Sequence, residues 1–272
     1  MGLRFVRCDS SVHFTVSEPS PSESFGSDRS VALLLVHALG TSHRIYDGVV
    51  EALRWSGPVL RYDLRGHGLS EVGEQPYTIA ALARDASQVL DAWGVSSVLV
   101  CGVSVGGQVA LELALSDRRV RAAVLCATAA RIGTAAGWRA RMDQVRAGGV
   151  SSLSDVVLGR WFSAAFRARE PDLVRGYRCL LERTPEAGYL AMLGALAEAD
   201  LSERARQSAV PTLVISGELD EATTPEEGER LASLIPDARF TLLRGASHLL
   251  GVEQPREVAS AIAGFAKGLG LD

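Results

Sequence analysis

Two short runs in which apolar and polar residues alternate, residues 3–7 and 12–16, open the chain, and their period of two predicts a β-hairpin. A stretch rich in Ser, Pro and Glu, residues 18–30, follows and reads as a mobile loop. The pattern then changes to unbroken apolar runs at 31–36, 59–62, 98–101, 120–126, 212–215 and, less cleanly, 239–243. Continuous rather than alternating runs suit strands buried on both faces, as in a parallel sheet covered by helices.

Segments of helical period separate these runs. In 79–93, Ile79, Leu82, Ala83, Ala86, Val89, Leu90 and Trp93 fall on one stripe, and Thr78 stands where an N-cap belongs. Residues 105–115, 225–234 and 258–269 read as three more helices. Such alternation predicts a doubly wound, mostly parallel α/β sheet with right-handed crossovers. Between about 131 and 200 the rhythm breaks into helical patterns alone (138–147, 154–162, 171–183 and 185–199). This predicts a helical cap, 131–200, inserted after the sixth strand into a discontinuous core of 1–130 and 201–272, above the strand ends where open sheets place ligands.

Composition narrows the partners. With 272 residues, 47 % hydrophobic and 22 % charged, the chain can bury a core without metal or disulfide staples, and disorder as a whole-chain description is excluded. The net charge of −4 argues against nucleic acid, which requires a basic face. Lys267 is the only lysine, so an anion site must be built from arginine. Cys8, Cys101, Cys126 and Cys179 lie far apart without a CxxC pair, which points to buried thiols in a reducing compartment. No apolar leader stands at the N-terminus and no run approaches the length of a membrane span, so a cytoplasmic protein without membrane contact is expected.

The candidate chemistry centres on Gly102-Val103-Ser104-Val105-Gly106-Gly107, which joins an apolar strand to a helix. A serine there is forced into a sharp turn that lifts its hydroxyl clear of the sheet, and flanking glycines keep Cβ atoms out of the neighbouring strand and helix. Such a hydroxyl needs a base, itself held by an acid. In this fold class the order is Ser, acid, His, and of the five histidines only His248 follows Ser104. The acid falls in the loop after 212–215: Asp220, with Glu218 and Glu221 as competing carboxylates. The oxyanion donors expected are the backbone N–H groups of Val105 and Leu39, with His37 organising the loop that carries Leu39. The loop from Asp63 to Ser70 reads as a rigid brace containing an internal ion pair and steadied by His67.

These motifs, together with Leu33-Leu34-Leu35-Val36-His37-Ala38-Leu39-Gly40-Thr41, Leu60-Arg61-Tyr62-Asp63-Leu64-Arg65-Gly66-His67-Gly68 and Ala246-Ser247-His248, resemble the α/β-hydrolases. More narrowly, His-Ala-Leu-Gly-Thr at 37–41 and the cap run from Thr128 into Trp138-Arg139-Ala140-Arg141 are similar to the 3-oxoadipate enol-lactonase family. The resemblance implies ring opening of a small enol lactone bearing a carboxylate arm, in bacterial breakdown of aromatic compounds, without cofactor or metal. It also implies that Trp138 and Arg141, three residues apart on a cap helix, bind the substrate; Trp161 and Phe162 are further cap candidates. A carboxylesterase, a C–C bond hydrolase or a perhydrolase would share the Ser, Asp and His and differ only in the pocket. A non-catalytic binding module on the same scaffold is the reading from a different class.

Overall fold

A computed structural model describes residues 4–8, 10–18 and 31–271; most of the 18–30 stretch expected to be a mobile loop lies outside the described residues. The apolar runs form one eight-stranded sheet from β1 (Arg4–Arg7), β2 (Ser11–Ser17), β3 (Ala32–Val36), β4 (Val59–Tyr62), β5 (Val98–Val103), β6 (Val120–Cys126), β7 (Thr212–Gly217) and β8 (Ala238–Leu243), in the order β1-β2-β4-β3-β5-β6-β7-β8. The first two strands pair as the expected antiparallel hairpin and β2 continues antiparallel onto β4, while every other pairing is parallel. Every residue of β3, β4 and β5 is buried, as continuous apolar runs require, whereas the edge strand β8 is half-buried or exposed along its whole length. This edge position explains why its sequence pattern is the least clean.

The strand order places the chemistry. From β3 the chain steps to one side for β4 and to the other for β5, so the β3–β5 boundary is a topological switch point, where the following loops diverge and leave a crevice. Val36 and Gly102 pair across it, and the His37 loop and Ser104 therefore leave the sheet at the same level.

Long helices stand where their stripes predict. Ile79–Trp93 is capped by the Thr78 side chain, which accepts from the Ala81 N–H. In the cap, inserted between β6 and β7, helices span Ala135–Gly148, Ser154–Trp161, Pro171–Glu182 and Glu186–Glu198. Their ends differ from expectation where a cap residue acts: Thr134 accepts from the Gly137 N–H and starts the first helix three residues early. The last helix likewise begins at Pro255, a residue suited to a first helical turn. Short helices at Asp47–Ala52, Ala164–Arg169, Ser202–Ala205 and Leu250–Glu253 had not been expected, because four to six residues are too few to display a helical stripe.

Two expectations need correction. Only Cys101 and Cys126 are buried; Cys8 is half-buried and Cys179 exposed on a cap helix. Among the described residues the loop after β4 shows no internal ion pair; its charges reach outward, Arg65 meeting Asp85 at 2.6 Å and Asp63 accepting from His13 and His43, each at 2.9 Å. Among the described residues no helix is long and apolar enough to cross a membrane.

Candidate active site

β5 passes into the helix Val105–Ser116 through Ser104 alone. To make that turn Ser104 takes φ 59° and ψ −122°, a left-handed φ that a non-glycine residue keeps only when its surroundings enforce it. Close approach explains the glycines. A Cβ on Gly102 would lie 2.0 Å from the Gly106 carbonyl oxygen, and one on Gly106 would lie 2.3 Å from that of Val36. Hydrogen bonds from β6 and its loop lock the turn: the Ser104 N–H donates to the Cys126 carbonyl (3.0 Å), and the Thr128 hydroxyl donates to the Ser104 carbonyl (2.7 Å).

The loops after β7 and β8 bring a carboxylate and an imidazole together. His248 Nδ1 lies 2.8 Å from Asp220 Oδ2, and both side chains are buried. Asp220 is fully engaged: Oδ1 accepts from the N–H groups of Ala222 (2.8 Å) and Thr223 (3.0 Å), and Oδ2 also accepts from the Thr223 hydroxyl (2.8 Å). Burial pushes this carboxyl up. The His248 charge and hydrogen bond, with the Thr223 donors, more than offset that and hold it below the usual carboxylate range. Of the competing acids, Glu218 turns to the Gly245 N–H (2.8 Å) and Glu221 is exposed. Thr223 carried no sequence signal, since its role is a contact made within its own turn.

The loop after β3 is held rigid. The Ala38 carbonyl oxygen accepts from His37 Nδ1 (2.8 Å), the Thr41 hydroxyl (2.7 Å) and the Thr41 N–H (3.2 Å). In a trans peptide the N–H points opposite to the C=O, so pinning the Ala38 carbonyl turns the Leu39 N–H away from His37 and Thr41. His37 Nε2 in turn accepts from the Leu64 N–H at 2.8 Å, which ties this loop to the one after β4. Burial, reinforced by the charge of His67, pushes the His37 pKa down to about 3, so the ring is neutral with its proton on Nδ1. His67 braces the same loop through the Arg65 carbonyl (3.1 Å), as expected.

Beneath the cap lies a cavity of about 370 Å³, lined among others by Ala38, Leu39, Ser104 and His248 from the core and by Trp138, Arg141, Trp161 and Tyr189 from the cap. The Trp138 indole donates to the Ile132 carbonyl (2.6 Å), and the Arg141 guanidinium carbon sits 5.1 Å from its ring centroid. Arg141 shares the cavity wall with Tyr189, which sequence patterns had not singled out because its helix is apolar on nearly every side. Of the further cap candidates Trp161 lines the cavity, but Phe162 does not: it is fully buried and stacks on Phe166 with ring centroids 5.1 Å apart.

A strand–turn–helix serine, a buried Asp–His pair and a lid inserted after the sixth strand define a hydrolase scaffold. The chain belongs to the alpha/beta hydrolase family, which it matches over residues 33–261. It is similar to 3-oxoadipate enol-lactonase 1 of Acinetobacter baylyi, with 35 % identity over 245 residues covering 90 % of this chain and 91 % of that protein. With 3-oxoadipate enol-lactonase 2 of the same organism the identity is 32 % at the same coverage. The crystal structure of the enol-lactonase from Burkholderia xenovorans LB400 superposes with a TM-score of 0.88 at 35 % identity, covering 95 % of this chain and 97 % of that one.

Proposed function

We propose that this protein is a serine hydrolase that opens the ring of an enol lactone bearing a carboxylate arm, converting 3-oxoadipate enol-lactone to 3-oxoadipate. One observation carries the reading: Ser104, His248, Trp138 and Arg141 line a single cavity whose size suits a small lactone. Kinship to the enol-lactonases of Acinetobacter baylyi supports the choice of substrate and a role in bacterial degradation of aromatic compounds.

In this reading Ser104 Oγ attacks the lactone carbonyl carbon while its proton passes to His248 Nε2. Asp220, held against Nδ1, keeps that nitrogen protonated and stabilises the imidazolium. The carbonyl oxygen takes up the negative charge between the N–H groups of Leu39 and Val105, each such donor being worth about 3–4 kcal/mol. The ring C–O bond then breaks, and the enolate takes the His248 proton and becomes the ketone. Because the leaving group belongs to the same molecule, it stays attached as the acyl chain on Ser104. Water, losing its proton to His248, attacks the acyl carbon; Ser104 leaves with that proton, and the product departs with a second carboxylate. Trp138 packs against the ring and Arg141 pairs with the carboxylate arm.

The test compares the carboxylate-bearing enol lactone with p-nitrophenyl acetate. Fluorophosphonate labelling that disappears in Ser104→Ala separates a hydrolase from a binding module. Arg141→Ala should lower kcat/KM for the lactone by about 100-fold, the scale of a lost charge-assisted pair, and for the neutral ester by less than about threefold. Equal losses on both substrates would remove Arg141 from carboxylate recognition.

A further inference from the structure

The cavity holds more positive charge than one carboxylate requires. Besides Arg141 it is lined by Arg160, from the last turn of the cap helix Ser154–Trp161, and none of its lining residues is Asp or Glu. Elsewhere in the cap, Arg167 and Arg183 lack a carboxylate partner among the described residues but lie outside this cavity, whereas Arg139, Arg146, Arg169, Arg175 and Arg178 each meet one. Arg141 and Arg160 do not, among the described residues. Arg141 has the Tyr189 hydroxyl and the Trp138 ring, neither of which carries a neutralising charge. The Arg160 guanidinium makes no hydrogen bond or ion pair at all among the described residues, although its backbone is fixed: its carbonyl accepts from the Ser247 hydroxyl at 2.9 Å. Both line this one cavity, and the Arg160 charge adds to burial in lowering the pKa of Arg141. They also differ in setting, Arg141 being half-buried and Arg160 exposed.

Two like charges facing a cavity without a counter-charge repel each other, and an anion entering between or against them relieves both. A monocarboxylate can satisfy only one guanidinium through a bidentate pair. We infer that Arg160 is a second anion-binding position in this cavity, and that the ligand class that fills it is a dicarboxylate, one end at Arg141 inside and the other at Arg160 towards solvent. The inference rests on the reading of Arg141 as a carboxylate-binding residue. It extends that reading to the reaction product, because hydrolysis of a carboxylate-bearing lactone or ester turns one negative charge into two. Once water has freed the new carboxylate from Ser104 it moves to Arg160, so the protein binds its product through a contact that the substrate does not make, and dicarboxylates inhibit it.

Calorimetric titration of the intact protein with hexanoate and with the dicarboxylates from succinate to suberate tests this without depending on turnover. The best dicarboxylate should bind at least about tenfold more tightly than hexanoate, and its chain length reports the span between the two guanidinium groups. Arg160→Met should bring that ratio to within about twofold of unity while leaving hexanoate unchanged, whereas Arg141→Met should weaken both ligand types. On the unaltered protein the preference should also shrink as NaCl rises from about 50 to 500 mM, since one of the two contacts is exposed. A dicarboxylate that binds no better than hexanoate, or a preference that survives in Arg160→Met, overturns the inference. Hexanoate affinity unchanged in Arg141→Met would instead overturn the underlying reading of Arg141, so the two failures are distinct.

Discussion

His37 Nδ1 donates to the carbonyl oxygen of Ala38 across 2.8 Å, and the Thr41 hydroxyl donates to the same atom across 2.7 Å. These bonds orient the peptide that presents the Leu39 N–H. If that N–H stabilises the tetrahedral intermediate, loosening the peptide costs rate and not substrate affinity. Thr41→Val should therefore lower kcat by about 10-fold with little change in KM, since one of three hydrogen bonds to Ala38 comes from the hydroxyl. Steady-state kinetics on a neutral ester check it, and an unchanged kcat would detach Leu39 from the chemistry.

Glu253 joins the cap to the His248 loop. One carboxylate oxygen accepts from the Ser163 N–H at 2.6 Å and the other from the Ser247 N–H at 2.7 Å, and the side chain is buried. Nearby, the Leu249 N–H donates to the Trp161 carbonyl at 3.0 Å, so His248 is flanked on both sides by anchors to the lid. Replacing Glu253 with Gln turns one acceptor into a donor facing an N–H donor. The expected cost is about 2–3 kcal/mol of stability, for a buried hydrogen bond lost and its partner left unpaired. A fall in kcat should accompany it and exceed the change in KM. Urea unfolding alongside kinetics separates the two effects: lost stability with unaltered kcat would make Glu253 a purely structural tie.

How much of this was legible in the sequence depends on the length scale of each interaction. The buried strands and the long helices announce themselves through periodicity, and the turn at Ser104 through glycines whose absent Cβ atoms are a steric necessity. His248 follows from chain order, but Asp220 could be told from Glu218 and Glu221 only by the direction each side chain takes. Thr223 and Glu253 left no pattern, and Thr128 entered only as the start of the cap run, because each acts through one hydrogen bond or two to backbone or to a side chain already in place. Arg160 was hidden for a related reason. On a chain whose basic residues are nearly all arginine, one without a carboxylate partner looks like any other until its neighbours are known.

Acid should unfold the protein over a window set by two of its buried histidines, His37 and His67. Burial pushes His37 down to about 3 and His67 to about 4, while in the unfolded chain both take up a proton near 6.5. The unfolded state thus binds more protons than the native one between these values, so the stabilisation is complete above pH 6.5 and is lost as pH falls towards 3–4. Two such groups give a slope of about 3 kcal/mol per pH unit between roughly pH 6 and 4. Asp63 extends the loss below the ordinary carboxylate range. Its own burial raises it, but the hydrogen bonds from His13 and His43 hold it well down. Urea midpoints measured from pH 7.5 to 4.5 should fall steeply below pH 6.5. A flat profile down to pH 5 would mean that the two rings titrate normally.

The partners of Asp220 dictate what its amide replacement does. Because Oδ1 accepts from two backbone N–H groups, the Asp220→Asn side chain must keep its oxygen there and place its NH₂ in the Oδ2 position. That position faces His248 Nδ1 at 2.8 Å and the Thr223 hydroxyl at 2.8 Å. The hydroxyl can rotate to accept, but the imidazole can answer an NH₂ donor only with a lone pair on Nδ1. Its proton then moves to Nε2, the nitrogen that in the proposed reaction must be bare to take the Ser104 proton. The turnover rate should fall by about 10⁴-fold, and the rate of fluorophosphonate labelling with it, while the fold persists because the backbone contacts survive. A variant that retains more than a tenth of the labelling rate would show that Ser104 is activated by something other than this imidazole.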